Sequence, residues 1–184
     1  IVHLGIGAFF RAQQAVLIDD ALGAGDLAWG IVGASLRSPD TRDALAPQDW
    51  LYTLAIRDQS GSRHRVIGAL REVLVAPENP EKLLRAMSDP DVRIVSLTVT
   101  EKGYCHDPAT GRLDEAHPDI RHDIAAPHEP RSAPGFLLEA LARRRAAGTV
   151  PFTVLACDNL PSNGRTVHGV LSRLAKIRDG DLGR

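Results

Sequence analysis

The chain has 184 residues, of which 43% are apolar and 24% are charged, and its formal net charge is −1. This composition is typical of a globular protein with one sizeable core, and it excludes collagen, coiled-coil, disordered and disulfide-rich classes. The near-neutral charge gives no electrostatic basis for nucleic acid or an anionic membrane as partner. No apolar run reaches the roughly 18 residues of a membrane span.

The cysteines and the two ends of the chain bear on where the protein works. Cys105 and Cys157 form neither a disulfide framework nor a zinc motif, and free thiols suit a reducing cytoplasm. No secretory signal opens the sequence, so we expect a cytoplasmic protein.

Ile1 already belongs to an apolar run, and the last residues follow a helical pattern directly. We therefore expect one domain of a longer polypeptide.

Apolar runs alternate with helical periodicity along the chain, which is typical of α/β proteins. The first half predicts a strand, a helix stopped by glycines, a second strand, a short helix, and two strand-like runs that flank a polar hairpin turn. In chain order these elements occupy residues 1–4, 9–22, 29–36, 38–46, 51–57 and 63–70.

The second half continues the alternation, with an irregular segment in its middle. Residues 105–134 are rich in proline and histidine and predict a long loop with one short helix. Ser162 is expected to cap a final helix with a clear apolar face. The other predicted elements are strands at 72–76, 93–99 and 151–156, and helices at 80–87 and 135–147.

The first strand runs into a Gly-x-Gly turn, Gly5 to Gly7, and then into a helix. The first glycine allows a tight turn, and the second lets the backbone approach a pyrophosphate without a Cβ in the way. The N–H groups of the new helix then face the anion, and Arg11 can add a charge-assisted contact. A lone Gly-x-Gly also occurs at ordinary tight turns, but its place after the first strand favours a dinucleotide site.

The dinucleotide fingerprint is incomplete in two places. Its third glycine would fall where Phe10 stands, and no acidic residue ends the second strand. Asp40 is a candidate for the ribose hydroxyls of NAD, whereas Arg37 is a candidate for the 2′-phosphate of NADP. Asp40 also fits a plain helix start, and Arg37 fits a solvated surface position. We expect NAD as the cofactor, with NADP as the alternative.

Polar segments follow two predicted strands at their carboxyl ends, where ligands bind in open α/β sheets. They are TEKGY at 100–104 and CDNLPSNG at 157–164. Asn159 beside a nicotinamide can donate to a substrate oxygen that gains negative charge during hydride transfer, and Glu101 can accept from a substrate hydroxyl. The second segment also fits simple helix capping.

No metal site is expected. The histidines lack a His-x-x-x-His helix, and neither Cys-x-x-Cys nor a carboxylate triad accompanies them. Lys102 suggests proton transfer, although a solvated lysine is the more ordinary reading. Cys157 fits a small packed residue better than a nucleophile.

Three segments together resemble the mannitol dehydrogenase family of polyol and sugar-acid dehydrogenases. They are IVHLGIGAFFRAQQA, TVTEKGY and CDNLPSNG, and the shorter VGASLRSPDTRDAL, LYTL and HPDI extend the resemblance over essentially the whole chain. The KGYC and SLRSPDT forms look nearer to the fructuronate reductase and mannitol 2-dehydrogenase types. Phe10 and Gln13 stand where this family commonly has histidine.

The resemblance implies a Rossmann-like, doubly wound, mostly parallel sheet with a β-hairpin insertion. It further implies hydride transfer between NAD(P) and a secondary alcohol of a polyol or sugar acid, without a metal. The family's catalytic lysine lies in a C-terminal helical domain that is absent from residues 1–184, so that domain of the same polypeptide is an expected partner. The resemblance assigns the cofactor turn to Gly5, Gly7, Ala8, Phe9 and Arg11, the nicotinamide end to Thr100 and Glu101, and substrate polarisation to Asn159.

Two other classes stay open at this point. One is a regulatory module that holds NAD without chemistry. The other is a different nucleotide-dependent enzyme, such as a methyltransferase, whose glycine-rich turn also follows the first strand. The acidic residues Glu101 and Asp158, together with Asn159, favour the dehydrogenase.

Overall fold

The computed structural model describes residues 1–182. Within them lie seven strands: β1 (Val2–Leu4), β2 (Ile31–Ser35), β3 (Tyr52–Asp58), β4 (Gly61–Ile67), β5 (Leu70–Val75), β6 (Ile94–Leu97) and β7 (Thr153–Ala156). The same residues form seven α-helices: α1 (Ala8–Ala12), α2 (Gln14–Gly23), α3 (Asp40–Leu45), α4 (Pro80–Ser88), α5 (Pro118–Ala125), α6 (Ala133–Ala146) and α7 (Asn163–Arg178).

Five strands form one parallel sheet in the order β5-β2-β1-β6-β7. Strand β1 is central, and Leu4 pairs with Ala34 on one side and Leu97 on the other. From β1 the chain first adds β2 and β5 on one side of the sheet. It then crosses to the other side of β1 and adds β6 and β7. This is the doubly wound arrangement, so the predicted fold class is confirmed, and the carboxyl ends of all five strands meet at one edge.

The predicted hairpin is also confirmed, as a separate two-stranded sheet of β3 and β4. Its antiparallel register runs from Tyr52 opposite Ile67 to Asp58 opposite Gly61. The hairpin is fastened to α2 by Asp19, which accepts from the Arg65 guanidinium at 2.6 Å and from the backbone N–H of Gly68 at 2.8 Å.

Side chains of the central strands alternate between two cores. Leu4 and Leu97 are no more than 1% exposed and face Phe136 and Leu137 of α6 in the main cluster. Each such burial contributes about 1.5–3 kcal/mol. His3 lies between these apolar positions in β1 and faces the opposite side, where Phe10 of α1 covers it. The α1 side of the sheet therefore carries a buried polar residue directly behind the first turn.

Two local predictions differ from the structure. The helix predicted over 9–22 is broken at Gln13, whose backbone (φ −124°, ψ −83°) is not helical, so α1 has only five residues. The predicted cap by Ser162 is wrong, because Ser162 adopts a left-handed φ of 54° and its side chain makes no capping bond. The Asn163 amide instead donates to the carbonyls of Ala156 and Asp158, at 3.2 and 3.1 Å.

The long loop contains the one short helix that was predicted, α5. The loop is held in place by Asp123, whose side chain is 4% exposed. Its carboxylate accepts hydrogen bonds from the backbone N–H groups of Arg131 and Ser132 and from the Ser132 hydroxyl. These bonds replace water around a buried carboxylate and pin the loop to the start of α6. No helix of residues 1–182 is long and apolar enough to cross a membrane.

Candidate cofactor and active site

A cleft of about 270 Å³ opens at the carboxyl edge of the sheet, beside the central strand. It is lined by the turn at 5–7, by residues 35–37 and Thr41 beyond β2, and by residues 98–100 and Gly103 beyond β6. Strands β2 and β6 flank β1, and the chain reverses its building direction there. Ligands of doubly wound sheets bind at this topological switch point.

The absence of a side chain at Gly5 and at Gly7 has a different physical explanation at each position. Gly5 has φ +97°, and a Cβ on it would stand 2.5 Å from the carbonyl oxygen of Thr98. Only glycine fits there, because both the backbone angle and the neighbouring main chain exclude a side chain. Gly7 has φ −67°, and a Cβ on it would meet nothing within 4 Å. The fold therefore does not require glycine at position 7, where the space beside the backbone is open.

A buried hydrogen-bond network supports the turn from below. His3 is 0% exposed; its Nδ1 lies 2.8 Å from the Ser96 hydroxyl, and its Nε2 lies 2.8 Å from Thr98 Oγ1 and 3.1 Å from the Gly5 carbonyl oxygen. The Thr98 hydroxyl donates to the same Gly5 carbonyl at 2.6 Å. Since that hydrogen is committed, the network assigns the proton to Nε2 of His3. Burial lowers the pKa of His3 to about 3, so the ring is neutral at physiological pH.

Phe10 explains the missing third glycine of the fingerprint. Its ring is 1% exposed and stacks on His3, with centroids 3.8 Å apart and planes 12° from parallel. The third glycine ordinarily lets the helix approach the strand closely. Flat stacking of Phe10 on His3 packs the helix against the strand without it.

The start of α1 provides a weaker helix dipole for binding an anion than the sequence predicted. A five-residue helix carries a short dipole, so the anion site depends on individual N–H groups rather than on a long helix. Gly7, Ala8 and Phe9 are exposed at this turn and can present them. Arg11 donates from Nη1 to the Ile6 carbonyl at 2.8 Å, so part of its guanidinium already braces the turn.

Arg37 and Asp40, the two candidates for contacts with the ribose, occupy different positions relative to the cleft. The Ser35 hydroxyl accepts from the N–H groups of Arg37 and Ser38, at 3.4 and 3.3 Å, and this curls the chain beyond β2. Arg37 lines the cleft, whereas Asp40 does not. The Asp40 carboxylate instead accepts from the Ser38 hydroxyl at 2.9 Å, at the exposed start of α3.

The predicted nicotinamide-side residues lie on the loops beyond β6 and β7. Thr100 lines the cleft, whereas Glu101 is exposed at the start of a short 3₁₀ helix and lies outside the lining. Asn159 is exposed, and within residues 1–182 its side chain makes no hydrogen bond. Burial raises the pKa of Cys157, which keeps its thiol protonated and disfavours a nucleophilic role.

Sequence reasoning named Asp158 but missed its partner Tyr104, and the two together organise these loops. Tyr104 is 2% exposed, and its hydroxyl donates to the carboxylate of Asp158. Thr98 and Ser96, which hold His3, were also not singled out. One signal was present: Tyr104 and Asp158 both belong to the polar segments that follow β6 and β7.

A larger cavity, about 780 Å³, lies on the α4–α6 side of the sheet. It is bounded by Leu36, the start of α4, Phe136 and the loop that carries His122 and His128. Its lining contains no glycine turn, unlike that of the smaller cleft. Among residues 1–182, no group of three His, Cys, Asp or Glu side chains is placed to hold a metal ion.

The parallel sheet, the glycine turn with its positive φ at Gly5 and the cleft at the switch point define a Rossmann-type nucleotide-binding domain. Comparison with known proteins makes this more specific. The family model for the mannitol dehydrogenase Rossmann domain matches residues 1–181, and the chain belongs to the mannitol dehydrogenase family.

Three relatives illustrate the match. The chain is 49% identical to mannitol 2-dehydrogenase of Cereibacter sphaeroides, covering 99% of this chain and 39% of the relative. It is 47% identical to the uncharacterized oxidoreductase YeiQ of Escherichia coli (strain K12), covering 99% and 38%. The solved structure of Pseudomonas fluorescens mannitol 2-dehydrogenase with NAD and D-mannitol superposes with a TM-score of 0.94 at 42% identity, covering 99% and 38%. The chain thus spans less than two fifths of the length of these relatives.

Proposed function

We propose that this chain is the NAD-binding part of a dehydrogenase that transfers a hydride between nicotinamide and a secondary alcohol of a polyol. The observation that carries the proposal is the cleft at Gly5–Gly7, where the fold leaves open space beside a backbone that needs no side chain. A dinucleotide pyrophosphate requires that kind of approach. The similarity to a mannitol 2-dehydrogenase that was solved with NAD and D-mannitol supports it.

Residues that line or adjoin the cleft, with Asp40 and Glu101 just outside its lining, divide the dinucleotide between them. The N–H groups of Gly7, Ala8 and Phe9 face the pyrophosphate, and Arg11 supplies positive charge beside them. Arg37 and Asp40 are the ribose candidates beyond β2, and Thr100 with Glu101 are the candidates for the nicotinamide end.

NAD, when bound, supplies the hydride acceptor or donor. Asn159 is proposed to donate a hydrogen bond to the substrate oxygen, which gains negative charge as a ketone is reduced. Because that charge is largest in the transition state, the bond acts on turnover more than on substrate binding. The exposed and unpaired Asn159 amide supports this role.

The substrate class is proposed as a hexitol and its ketose, with mannitol and fructose as the first pair to test. A sugar acid such as mannonate, oxidised to fructuronate, is the competing pair suggested by sequence resemblance. Steady-state rates on both pairs with the full-length protein separate them, and a higher kcat/KM for mannonate would overturn the polyol assignment.

The remaining part of the polypeptide is proposed to carry the catalytic lysine and to complete the substrate side. The matched relatives are more than twice as long as this chain, which supports the idea. General acid–base transfer contributes roughly 10²–10⁴ in rate. We therefore expect these 184 residues alone to bind dinucleotide weakly and to oxidise neither mannitol nor mannonate. A cytoplasmic location remains proposed, supported by the two free thiols.

Calorimetric titration with NADH tests the cofactor site directly. Gly7→Val is expected to abolish binding while the fold survives, since its Cβ points into open space. The matched control is Gly169→Val on the exposed side of α7, where an added Cβ also meets nothing within 4 Å. Equal NADH affinity in wild type and a folded Gly7→Val protein would remove the pyrophosphate from this turn.

A further inference from the structure

The loops beyond β6 and β7 separate immediately after the sheet ends. Their last backbone bond runs from the Cys157 N–H to the Leu97 carbonyl, at 2.8 Å. Beyond it, among the hydrogen bonds of residues 1–182, the bond from the Tyr104 hydroxyl to the Asp158 carboxylate is the one that joins the two loops. Within residues 1–182 this pair is therefore the direct hydrogen-bond link between the two loops, beside the packing of Val99 and Leu160 on the main core.

Tyr104 is anchored at its ring end. The ring is 2% exposed and belongs to the main core, beside Leu97, Leu137 and Val167. Burial, with the Asp158 carboxylate second, raises the pKa of Tyr104, so its hydroxyl stays protonated and remains a donor. The buried, rigid ring of Tyr104 thus holds its hydroxyl outside the core, at the edge of the cleft.

Asp158 uses both carboxylate oxygens. One accepts from Tyr104, and the other accepts from the backbone N–H of Leu160 at 3.2 Å. The Asn163 amide holds the Asp158 carbonyl from the far side of the loop at 3.1 Å. Asn159 lies between these fixed points, and within residues 1–182 its side chain makes no hydrogen bond, so its position follows that of the loop.

We propose that Tyr104 and Asp158 form a positioning pair that holds Asn159 in its place relative to Thr100 across the nicotinamide end of the cleft. The pair touches neither hydride nor substrate oxygen; it acts through Asn159. The inference rests on the proposed role of Asn159. Its distinctive consequence is that loss of the Tyr104 hydroxyl reduces turnover only while Asn159 is present.

The experiment uses the full-length protein that contains this chain. Tyr104→Phe keeps the buried ring and removes only the hydroxyl. We expect kcat to fall on the order of 10-fold, because a small displacement of a group in contact with the reacting atoms is costly, while NADH affinity stays within about twofold. Tyr52→Phe is the matched control, since it removes a hydroxyl that donates to the Arg11 carbonyl at 2.6 Å, and its kcat is expected to equal wild type.

The double variant distinguishes positioning from mere stabilisation. Tyr104→Phe added to Asn159→Ala is expected to cause no further loss of kcat, since residues that act through one another are non-additive. An equal loss in both backgrounds would overturn the pair's role. Normal kcat in Tyr104→Phe, beside slow Asn159→Ala, would also overturn it. Normal kcat in Asn159→Ala would instead overturn the proposed function of Asn159 itself.

Asp158 provides an independent route that leaves Tyr104 untouched. Asp158→Asn keeps one acceptor oxygen, which can serve the Tyr104 hydroxyl, but loses the second, which accepts from the Leu160 N–H, so it is expected to retain more of kcat than Asp158→Ala. Asp158→Ala removes the acceptor and is expected to match Tyr104→Phe or to be slower. Equal kcat in the Asn and Ala variants would contradict the positioning pair even if Tyr104→Phe did not fold.

Discussion

The two ends of the cleft are built differently. The turn at Gly5 is supported from below by residues with almost no exposure, His3 and Phe10, and it is fastened to β6 through Thr98. The loops beyond β6 and β7 present exposed side chains, Thr100, Glu101 and Asn159, and among residues 1–182 a single side-chain bond joins the two loops.

This difference matches two tasks. A pyrophosphate is the same in every NAD-dependent enzyme, so its site benefits from a rigid and buried support. The proposed substrate end would present polar groups to the rest of the polypeptide, and exposed loops allow this. We infer that the phosphate half is complete within this chain, whereas the substrate half is proposed to need the rest of the polypeptide.

The largest expected effect separates the two glycines of the turn. Gly5→Val is expected to unfold or severely destabilise the chain, because its Cβ would overlap the Thr98 carbonyl at a positive φ. Gly7→Val should keep near-normal stability and lose only NADH binding. Urea denaturation of both variants, followed by calorimetry on the folded one, measures this. Two variants of equal stability would contradict the structural distinction.

The next effect concerns the exposed end. Asn159→Ala in the full-length protein is expected to lower kcat by about 10²–10³, or roughly 2.7–4 kcal/mol, as for loss of one donor to a developing oxyanion. NADH affinity should change little, since the cofactor turn lies elsewhere. If Asn159 only shapes the loop before α7, thermal stability would fall instead, with kcat near normal in the folded fraction.

The buried support of the turn predicts a pH dependence. His3 is neutral in the fold, with a pKa of about 3 against 6.5 for a free imidazole, so the unfolded chain binds an extra proton below pH 6.5. This contribution to stability is therefore complete above pH 6.5 and is lost progressively as pH falls towards 3, at about 1.4 kcal/mol per pH unit.

Urea denaturation between pH 7 and pH 5 should therefore show a loss of about 2 kcal/mol that His3→Asn lacks. His64→Asn, which removes an exposed imidazole of β4, is the control and should keep the wild-type dependence. A parallel pH dependence in wild type and His3→Asn would show that His3 does not titrate as the buried geometry requires.

The smallest effect concerns the ribose. NAD is expected to be preferred over NADP by about tenfold, or 1.4 kcal/mol. Arg37 lines the cleft and is the residue able to reverse that preference, whereas Asp40 is turned towards Ser38. Titration of Arg37→Ala with NADH and NADPH measures it. A strong loss for NADPH with none for NADH would show that the cofactor is NADP.

Much of the fold could be predicted because its signals are local. Apolar runs and glycine turns predicted the strands of both sheets and the turn at Gly5 to Gly7 that follows β1. Similar local patterns predicted a single helix after the turn. The structure departs from that pattern at Gln13, whose backbone is not helical, and the short helix before it places Phe10 on His3.

The supports of the site could not be predicted from local patterns. His3, Ser96 and Thr98 lie on strands that become neighbours only in the sheet, and Tyr104 meets Asp158 across 54 positions of sequence. Periodicity reports which face of an element is apolar, but not which polar groups meet across elements. The predicted sites of Asn159, Thr100 and the turn residues remain predictions that the mutations above can test.

The bond between His3 and Ser96 also bears on the order of folding. It joins residues 93 apart in sequence, across parallel strands that pair only after a long loop has closed. Such distant contacts form slowly, whereas β1, β2 and β5 are linked by shorter crossovers. We therefore expect these three strands to assemble first and β6 to dock later. The turn would gain its rigid form at that late step, so a nucleotide added to the unfolded chain should not speed its refolding.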